Sequence, residues 1–226
     1  MTPSLSIVIP VLNESARMAA ALQVLATLRH RGCEVIVCDG GSTDGTLSQC
    51  VGRADQVLTA SPGRARQMNA GAAVARAEVL LFLHVDTTLP SDATAAIGQA
   101  LAEGAAWGRF DVHIDGRAGM LRVVAAFMNR RSRWTGIATG DQAIFVRRSV
   151  FRAVGGFPDQ PLMEDVELCR RLRQHGHAPA CLRQRVRTSG RRWDERGVWR
   201  TIVLMWRLRW RYWRGASAET LARLYR

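Results

Sequence analysis

The chain has no Cys-x-x-Cys pair. Its five cysteines (Cys33, Cys38, Cys50, Cys169 and Cys181) are odd in number and scattered, which argues against a disulfide framework and against a zinc site; reduced thiols are expected. No stretch reaches the roughly 18 apolar residues that a membrane span requires. The first 13 residues are uncharged and lack the basic n-region of a signal peptide, so a cytoplasmic protein is expected. No G-x-G-x-x-G follows the first strand-like run, which excludes a dinucleotide oxidoreductase of the usual kind. Nor does any low-complexity linker or internal repeat mark a domain boundary.

Lysine is also missing, so all 32 cationic side chains are arginines, against 19 acids, for a formal net charge of +13. A balance this basic invites a nucleic-acid reading. Its distribution weakens the invitation: residues 1–108 carry 7 Arg against 9 acids, whereas 109–226 carry 25 against 10. No nucleic-acid partner is expected. What is present in quantity is core material, at 47% hydrophobic over 226 residues, enough for a well-buried interior.

Apolar runs of strand length alternate with helical patterns through the first half. Strands are expected at Leu5–Val11, Glu34–Asp39, Gln56–Thr59 and Val79–Val85, with helices at Ser15 to about Arg29, from about Thr46, and at Arg64–Ala75. Such apolar strands separated by helices belong to a mostly parallel sheet covered on both faces, an α/β fold. Beyond Trp107 the pattern loosens into a strand to Ile114, a helix from about Ala118 to Asn129, an arginine-rich loop, a strand at Gln142–Arg147, a Gly155-Gly156-Phe157-Pro158 turn and a helix from Asp165 to His175. In open parallel sheets ligands bind beyond the carboxyl ends of the strands, so the turns after the first, second and fourth strands define one candidate crevice.

Four stretches there could carry chemistry. VCDGGSTDGT offers two carboxylates, three hydroxyls and three glycines: Asp39 could accept a hydrogen bond from a base N–H, or the stretch is an ordinary turn with Asp44 as a helix cap. GRARQMNAG opens a helix with Arg64 and Arg66, which suit a diphosphate or are solvated surface cations. His84 and Asp86 leave an apolar strand two residues apart and point the same way. Asp86 suits a hard divalent cation; His84 either joins it or is a histidine satisfied by a backbone carbonyl. Glu164 and Asp165 head a helix, where they complement its dipole or supply a general base.

Taken in order, PVLNE, VCDGGSTDGT, GRARQMNAG, FLHVDT, GDQAIFVRRSVFRAVGGF and MEDVELCRRLRQHG resemble a family 2 glycosyltransferase of the Rossmann-like GT-A fold over roughly residues 5–177. The resemblance is greatest to the short bacterial branch called selenodomain-associated or radical-SAM-associated. It implies a nucleotide pocket of Pro10, Asn13, Glu14, Asp39, Gly41, Arg64, Asn69 and Val85, with Asp39 as partner of the base. It implies Mg²⁺ or Mn²⁺ held by Asp86 as the last Asp of D-x-D, with His84 where the first is usual. Asp165, with Glu164 beside it, is implied as general base, and Arg192 and Trp193 on the acceptor and diphosphate side. Gly155, Gly156 and Phe157 match a structural turn. The processive members' Q-x-x-R-W has Ser189 in place of Gln here, which speaks against polymer synthesis.

The implied reaction is inverting transfer from a UDP- or GDP-sugar to an acceptor hydroxyl or phosphate. A sugar-nucleotide nucleotidyltransferase shares the topology, but PVLNESAR stands where its glycine-rich loop would be. A non-catalytic basic module for RNA or acidic lipid remains the alternative from another class. The transferase domain is expected over residues 1–190, with a nucleotide half at 1–108 and an acceptor half at 109–190, followed by a basic amphipathic helical extension at 191–226. In Val198–Arg214, Trp199, Ile202, Val203, Trp206, Trp210 and Trp213 fall in one helical arc beside a stripe of Arg200, Arg207, Arg211 and Arg214. One face is expected to dock on the core and the other to lie on an anionic membrane from the cytoplasmic side, or against a second copy of the chain in a homodimer.

Overall fold

The computed structural model describes residues 2–225. Its elements are β1 (Ser6–Val11), α1 (Ser15–His30), β2 (Glu34–Asp39), β3 (Gln56–Thr59), α2 (Arg64–Val74), β4 (Val79–Phe82), β5 (Thr87–Thr88), α3 (Ala93–Ala102), β6 (Trp107–Asp115), α4 (Met120–Thr135), β7 (Phe145–Arg147), α5 (Arg148–Ala153), α6 (Glu164–Gln174), β8 (Ala180–Ser189), α7 (Arg191–Arg196), α8 (Val198–Trp213) and α9 (Ala218–Tyr225). The strands form one eight-stranded sheet in the order β3-β2-β1-β4-β7-β6-β8-β5. β1 runs parallel to β2 and β4, β2 to β3, and β6 to β8. β7 is antiparallel to both its neighbours, and β5 to β8.

Strand alternation sorts the apolar side chains into two cores. Ile7, Ile9 and Val11 of β1 with Val35 and Val37 of β2 face α1, which answers with Met18, Leu22, Leu25 and Leu28 at helical spacing. Val8, Ile36, Leu80 and Phe82 point the other way, against Ala65, Met68 and Ala72 of α2 and Leu168, Cys169 and Leu172 of α6. All six residues of β1 and of β2 are buried, which explains their continuous apolar sequence: both faces are covered.

The second half departs from the sequence expectation at several elements. Residues 130–135, expected as an arginine-rich loop, are the last turns of α4. They are fixed there because Arg133 bonds Asp111 of β6 at 2.8 and 2.9 Å and Asn129 clasps the Val112 backbone on both sides. β4 stops at Phe82, since the chain turns so that the Thr87 amide reaches the His84 carbonyl at 3.0 Å. Gln142 lies in a 3-10 turn ahead of β7. α3, α5 and the strands β5 and β8 were not anticipated, whereas α7 and α9 fall within the helical extension expected at 191–226. In β8 only Val186 and Thr188 are buried, while Arg183, Arg185 and Arg187 face solvent, so its apolar signal is weak.

Residues 191–225 pack on the same body. Leu208 of α8 and Leu221 of α9 are buried with Met163 ahead of α6, flanked by Leu204, Met205 and Tyr212. The opposite face of α8 is uncovered: Trp199, Val203, Trp206, Trp210 and Trp213 are each more than half exposed. Among the described residues no helix is long and apolar enough to cross a membrane.

Candidate active site

The ends of β1 and β4, the start of α2, the Thr139–Asp141 turn, the start of α6 and the α7–α8 segment meet around one crevice of about 480 Å³. Of the residues singled out from sequence, Pro10, Glu14, Arg64, His84, Val85, Asp86, Glu164, Asp165, Arg192 and Trp193 line it. Asn13, Asp39, Gly41 and Asn69 do not, and each has a structural occupation.

Asp39 is fully buried at the end of β2. Its carboxylate accepts the Gly41 and Ser42 amides, both at 2.9 Å, and the Ser42 hydroxyl. A carboxylate at a strand end captures the next free backbone donors, and Gly41 allows the turn with φ of 94°. Asn13, itself at φ 54°, completes the turn by accepting the Thr43 amide at 2.9 Å. Asp44 does act as a cap, but across elements: it accepts the Ser15 amide at 3.0 Å, at the start of α1. Asn69 has both ends of its amide on one residue, donating to the Phe157 carbonyl at 2.8 Å and accepting its amide at 3.0 Å. It therefore clamps the Gly155–Phe157 turn from outside the crevice. A Cβ on Gly156 would sit 2.8 Å from that same Asn69 oxygen. Arg66 pairs with Asp159 at 2.7 Å, away from the crevice.

His84 turns toward Asp141, with Nδ1 3.5 Å from a carboxylate oxygen, and not toward a backbone carbonyl. It packs so closely on Gly140 that a Cβ there would fall 2.5 Å from its Nε2. Burial alone would raise the Asp141 carboxyl, but His84, and then Arg64 and Arg192, hold it below the ordinary carboxylate range. Asp86 is exposed on the crevice wall. Among the described residues no three His, Cys, Asp or Glu side chains converge as a metal cluster.

At the head of α6, Asp165 is fixed by two amides, Gly140 at 2.8 Å and Val166 at 2.7 Å. Beside it Glu164 is buried; desolvation first, and the charge of Asp165 second, push its carboxyl above the usual glutamate value. Arg64 is exposed at the first turn of α2. The Arg192 guanidinium lies 4.8 Å over the Tyr225 ring; desolvation, then the charge of Arg64, push it below its usual range.

Three crevice residues escaped the sequence reading. Gln67 donates to the Val11 and Cys38 carbonyls, both at 2.7 Å, and so ties the ends of β1 and β2 together. Asp141 is the partner of His84, and Arg209 enters the wall from α8. The first two stand inside recognised motifs, so only their roles were hidden. Arg209 carried no signal among the many arginines of α8.

The model of the family described as Glycosyl transferase family 2 matches residues 6–155. No curated protein matches the chain. Among solved structures, the mannosyltransferase PcManGT of Pyrobaculum calidifontis, in complex with GDP-Man and Mn²⁺, is similar at a TM-score of 0.66 and 18% identity, with 100% of this chain covering 69% of that one. TarS 1–349 of S. aureus, in complex with UDP-GlcNAc, gives a TM-score of 0.65 at 16% identity, covering 82% of this chain and 58% of that one. Glucosyl-3-phosphoglycerate synthase of Mycobacterium tuberculosis, with Mn²⁺, UDP and glucosyl-3-phosphoglycerate, gives 0.57 at 18%, covering 81% and 70%. At these identities the likeness is one of fold, and the chain spans well under two thirds of TarS 1–349.

Proposed function

Because the chain belongs to glycosyl transferase family 2, we propose that it transfers a sugar with inversion from a UDP- or GDP-sugar to an acceptor hydroxyl, assisted by Mg²⁺ or Mn²⁺. The observation that carries this reading is a single crevice lined by Asp86, by the Glu164–Asp165 pair and by Arg64 and Arg192. The exposed carboxylate of Asp86, unaided by a three-residue cluster, fits a hard cation that takes its remaining oxygens from diphosphate and water. When bound, that cation offsets charge on the departing nucleoside diphosphate. Arg64 and Arg192 hold the diphosphate by charge-assisted hydrogen bonds. The loop shaped by Asp39, Asn13 and Gly41 provides the rest for the base. Asp165, aimed by its two amide donors, takes the proton of the acceptor hydroxyl as that oxygen bonds to the anomeric carbon and the bond to diphosphate breaks.

Titrating UDP and GDP with and without Mn²⁺ tests the donor half. Metal is expected to raise nucleotide affinity, and Asp86→Ala to abolish the increase; an affinity indifferent to metal in the intact protein would refute the donor reading. Asp165→Asn is expected to keep nucleotide affinity and lose about 10²- to 10⁴-fold in turnover. Undiminished turnover there would remove Asp165 from its role.

The exposed tryptophan face supports a partner as well. Phe127 of α4 stacks 6.0 Å from Trp206 of α8, joining that face to Val123 and Trp134, which are also exposed. Arg130 lies over Trp134 at 4.7 Å and Arg214 over Trp210 at 4.9 Å. Aromatic rings interleaved with exposed guanidiniums match the charge and depth profile of an anionic lipid surface, and that is the occupant we assign. Flotation with phosphatidylglycerol vesicles should carry the protein at low salt, and Trp206→Ser with Trp210→Ser should abolish it. No flotation at any salt, or a stable dimer in sedimentation that buries these rings, overturns the assignment.

A further inference from the structure

A second cavity, of about 580 Å³, lies between α4, α6 and the α8–α9 segment. Arg131 and Arg209 line it, and Arg209 lines the crevice too, so its side chain stands in the wall between the two. Among the described residues neither guanidinium is in an ion pair or a side-chain hydrogen bond. Nε and Nη2 of Arg131 are buried without any partner. Glu167, the one acid among the described residues lining this cavity, is already engaged by Arg170 at 2.7 and 2.8 Å and by Arg171 at 3.3 Å.

We propose that this cavity is the acceptor subsite, and that Arg131 and Arg209 together bind a phosphate group of the acceptor, leaving its hydroxyl directed past Arg209 to Asp165. The inference rests on the transferase reading above and names the acceptor's class. Two neighbouring, half-buried cations without an ion pair among the described residues have lost hydration for little direct compensation, a situation that structures tolerate where an anion arrives to complete it. The strain is visible in both groups. Desolvation pushes Arg131 down to about 9, with Arg209 adding to the effect, and desolvation likewise lowers Arg209. The negative charge of Asp165 acts on both guanidiniums, which sets the base close to them. Among the described residues it forms no ion pair with either of them, and its oxygens are held by the Gly140 and Val166 amides. A pair of planar cations favours a tetrahedral dianion over a neutral sugar. The donor's own diphosphate has Arg64 and Arg192 in the crevice, neither of which reaches this cavity. Trp213, on the rim, is 82% exposed, so the cavity opens beside the outward tryptophan face. The phosphate can therefore come from a soluble phosphomonoester or from a lipid headgroup.

The test compares the full chain with Arg131→Gln/Arg209→Gln, using inorganic phosphate against chloride at equal ionic strength. Phosphate is expected to raise Tm by a few degrees in the intact protein and in Asp86→Ala, and not in the double variant. Without phosphate the double variant is expected to melt at or above the intact protein, because it removes unpaired, half-buried charge, whereas a merely structural pair would melt lower when cut. Arg209→Lys, which keeps the charge and loses the fork, should weaken phosphate about tenfold. For the lipid source, vesicles carrying phosphatidate are compared with vesicles of equal charge carrying phosphatidylglycerol. A preference for phosphatidate that the double variant loses, with phosphatidylglycerol binding retained, supports a lipid acceptor; protection by free phosphate alone supports a soluble one. Protection by neither, or protection that survives the double variant, overturns the proposal. Metal-dependent nucleotide binding, measured on the same preparations, reports separately whether the donor reading holds.

Discussion

Glu164 and Asp165, adjacent at the head of α6, have divided a single charge problem between them. Asp165 has two amide donors and Glu164 has burial, so the second carboxyl is the one that keeps its proton above the ordinary value of 4.5. A carboxyl raised on folding contributes stability that is fully present below about pH 4.5 and is lost as pH rises through its folded value. Glu164→Gln, which cannot ionise, should therefore make the protein more stable than the parent at neutral pH and equal to it in acid, as read from urea midpoints across pH 4–8. Equal midpoints at pH 8 would show that Glu164 carries no such cost. Residue identity was legible here from the acids heading a helical pattern. Their division of labour was not, because it depends on the Gly140 amide, 25 positions away in sequence.

Among the elements, the turn before α6 is held by a residue of another helix. Asn69 lies in α2, and its two bonds to Phe157 fix the Gly155–Phe157 turn, which in turn sets where α6 and its acids begin. Asn69→Ala leaves both Phe157 backbone groups without that partner and should cost about 1–3 kcal/mol of stability. It should also lower turnover more than nucleotide affinity, since the donor side is untouched; the reverse pattern in kcat and nucleotide Kd would return Asn69 to the nucleotide pocket. α4 gives the complementary lesson. Its arginine-rich end read as a loop because Arg130, Arg131 and Arg133 show no apolar period, yet it is helical because Arg133 finds Asp111 on β6. The tryptophan arc of α8 was legible, since helical periodicity is a property of one helix alone.

Across the whole molecule, the two ends of the sheet do different work. The crevice occupies the carboxyl end of the central strands, while at the amino end Glu34 gathers Ser6 at 2.6 Å, Gln56 at 2.8 Å and the Arg76 side chain and amide at 2.6 and 3.0 Å. Burial opposes ionisation of Glu34, and these donors outweigh it and hold the carboxyl below its usual range. Its contribution is therefore present above about pH 4.5 and lost as pH falls through the lowered value. Glu34→Ala should destabilise the protein by about 3 kcal/mol at neutral pH and leave metal-dependent nucleotide affinity unchanged in the folded fraction. A loss of affinity at full folding would show that the two ends are coupled.

The sequence by itself determined the α/β class, the borders of β2 and β3, and the order of the motifs around the crevice, because apolar periodicity and turn chemistry act over a few residues. The tertiary structure alone decided which polar side chains face that crevice. Asp39 and Asn69 went to backbone groups, His84 went to Asp141, and Arg209 arrived from the far end of the chain. Each outcome is a competition among hydrogen-bond partners, and proximity in space decides it: Asn69 and Phe157 are 88 positions apart and meet only once the sheet has closed.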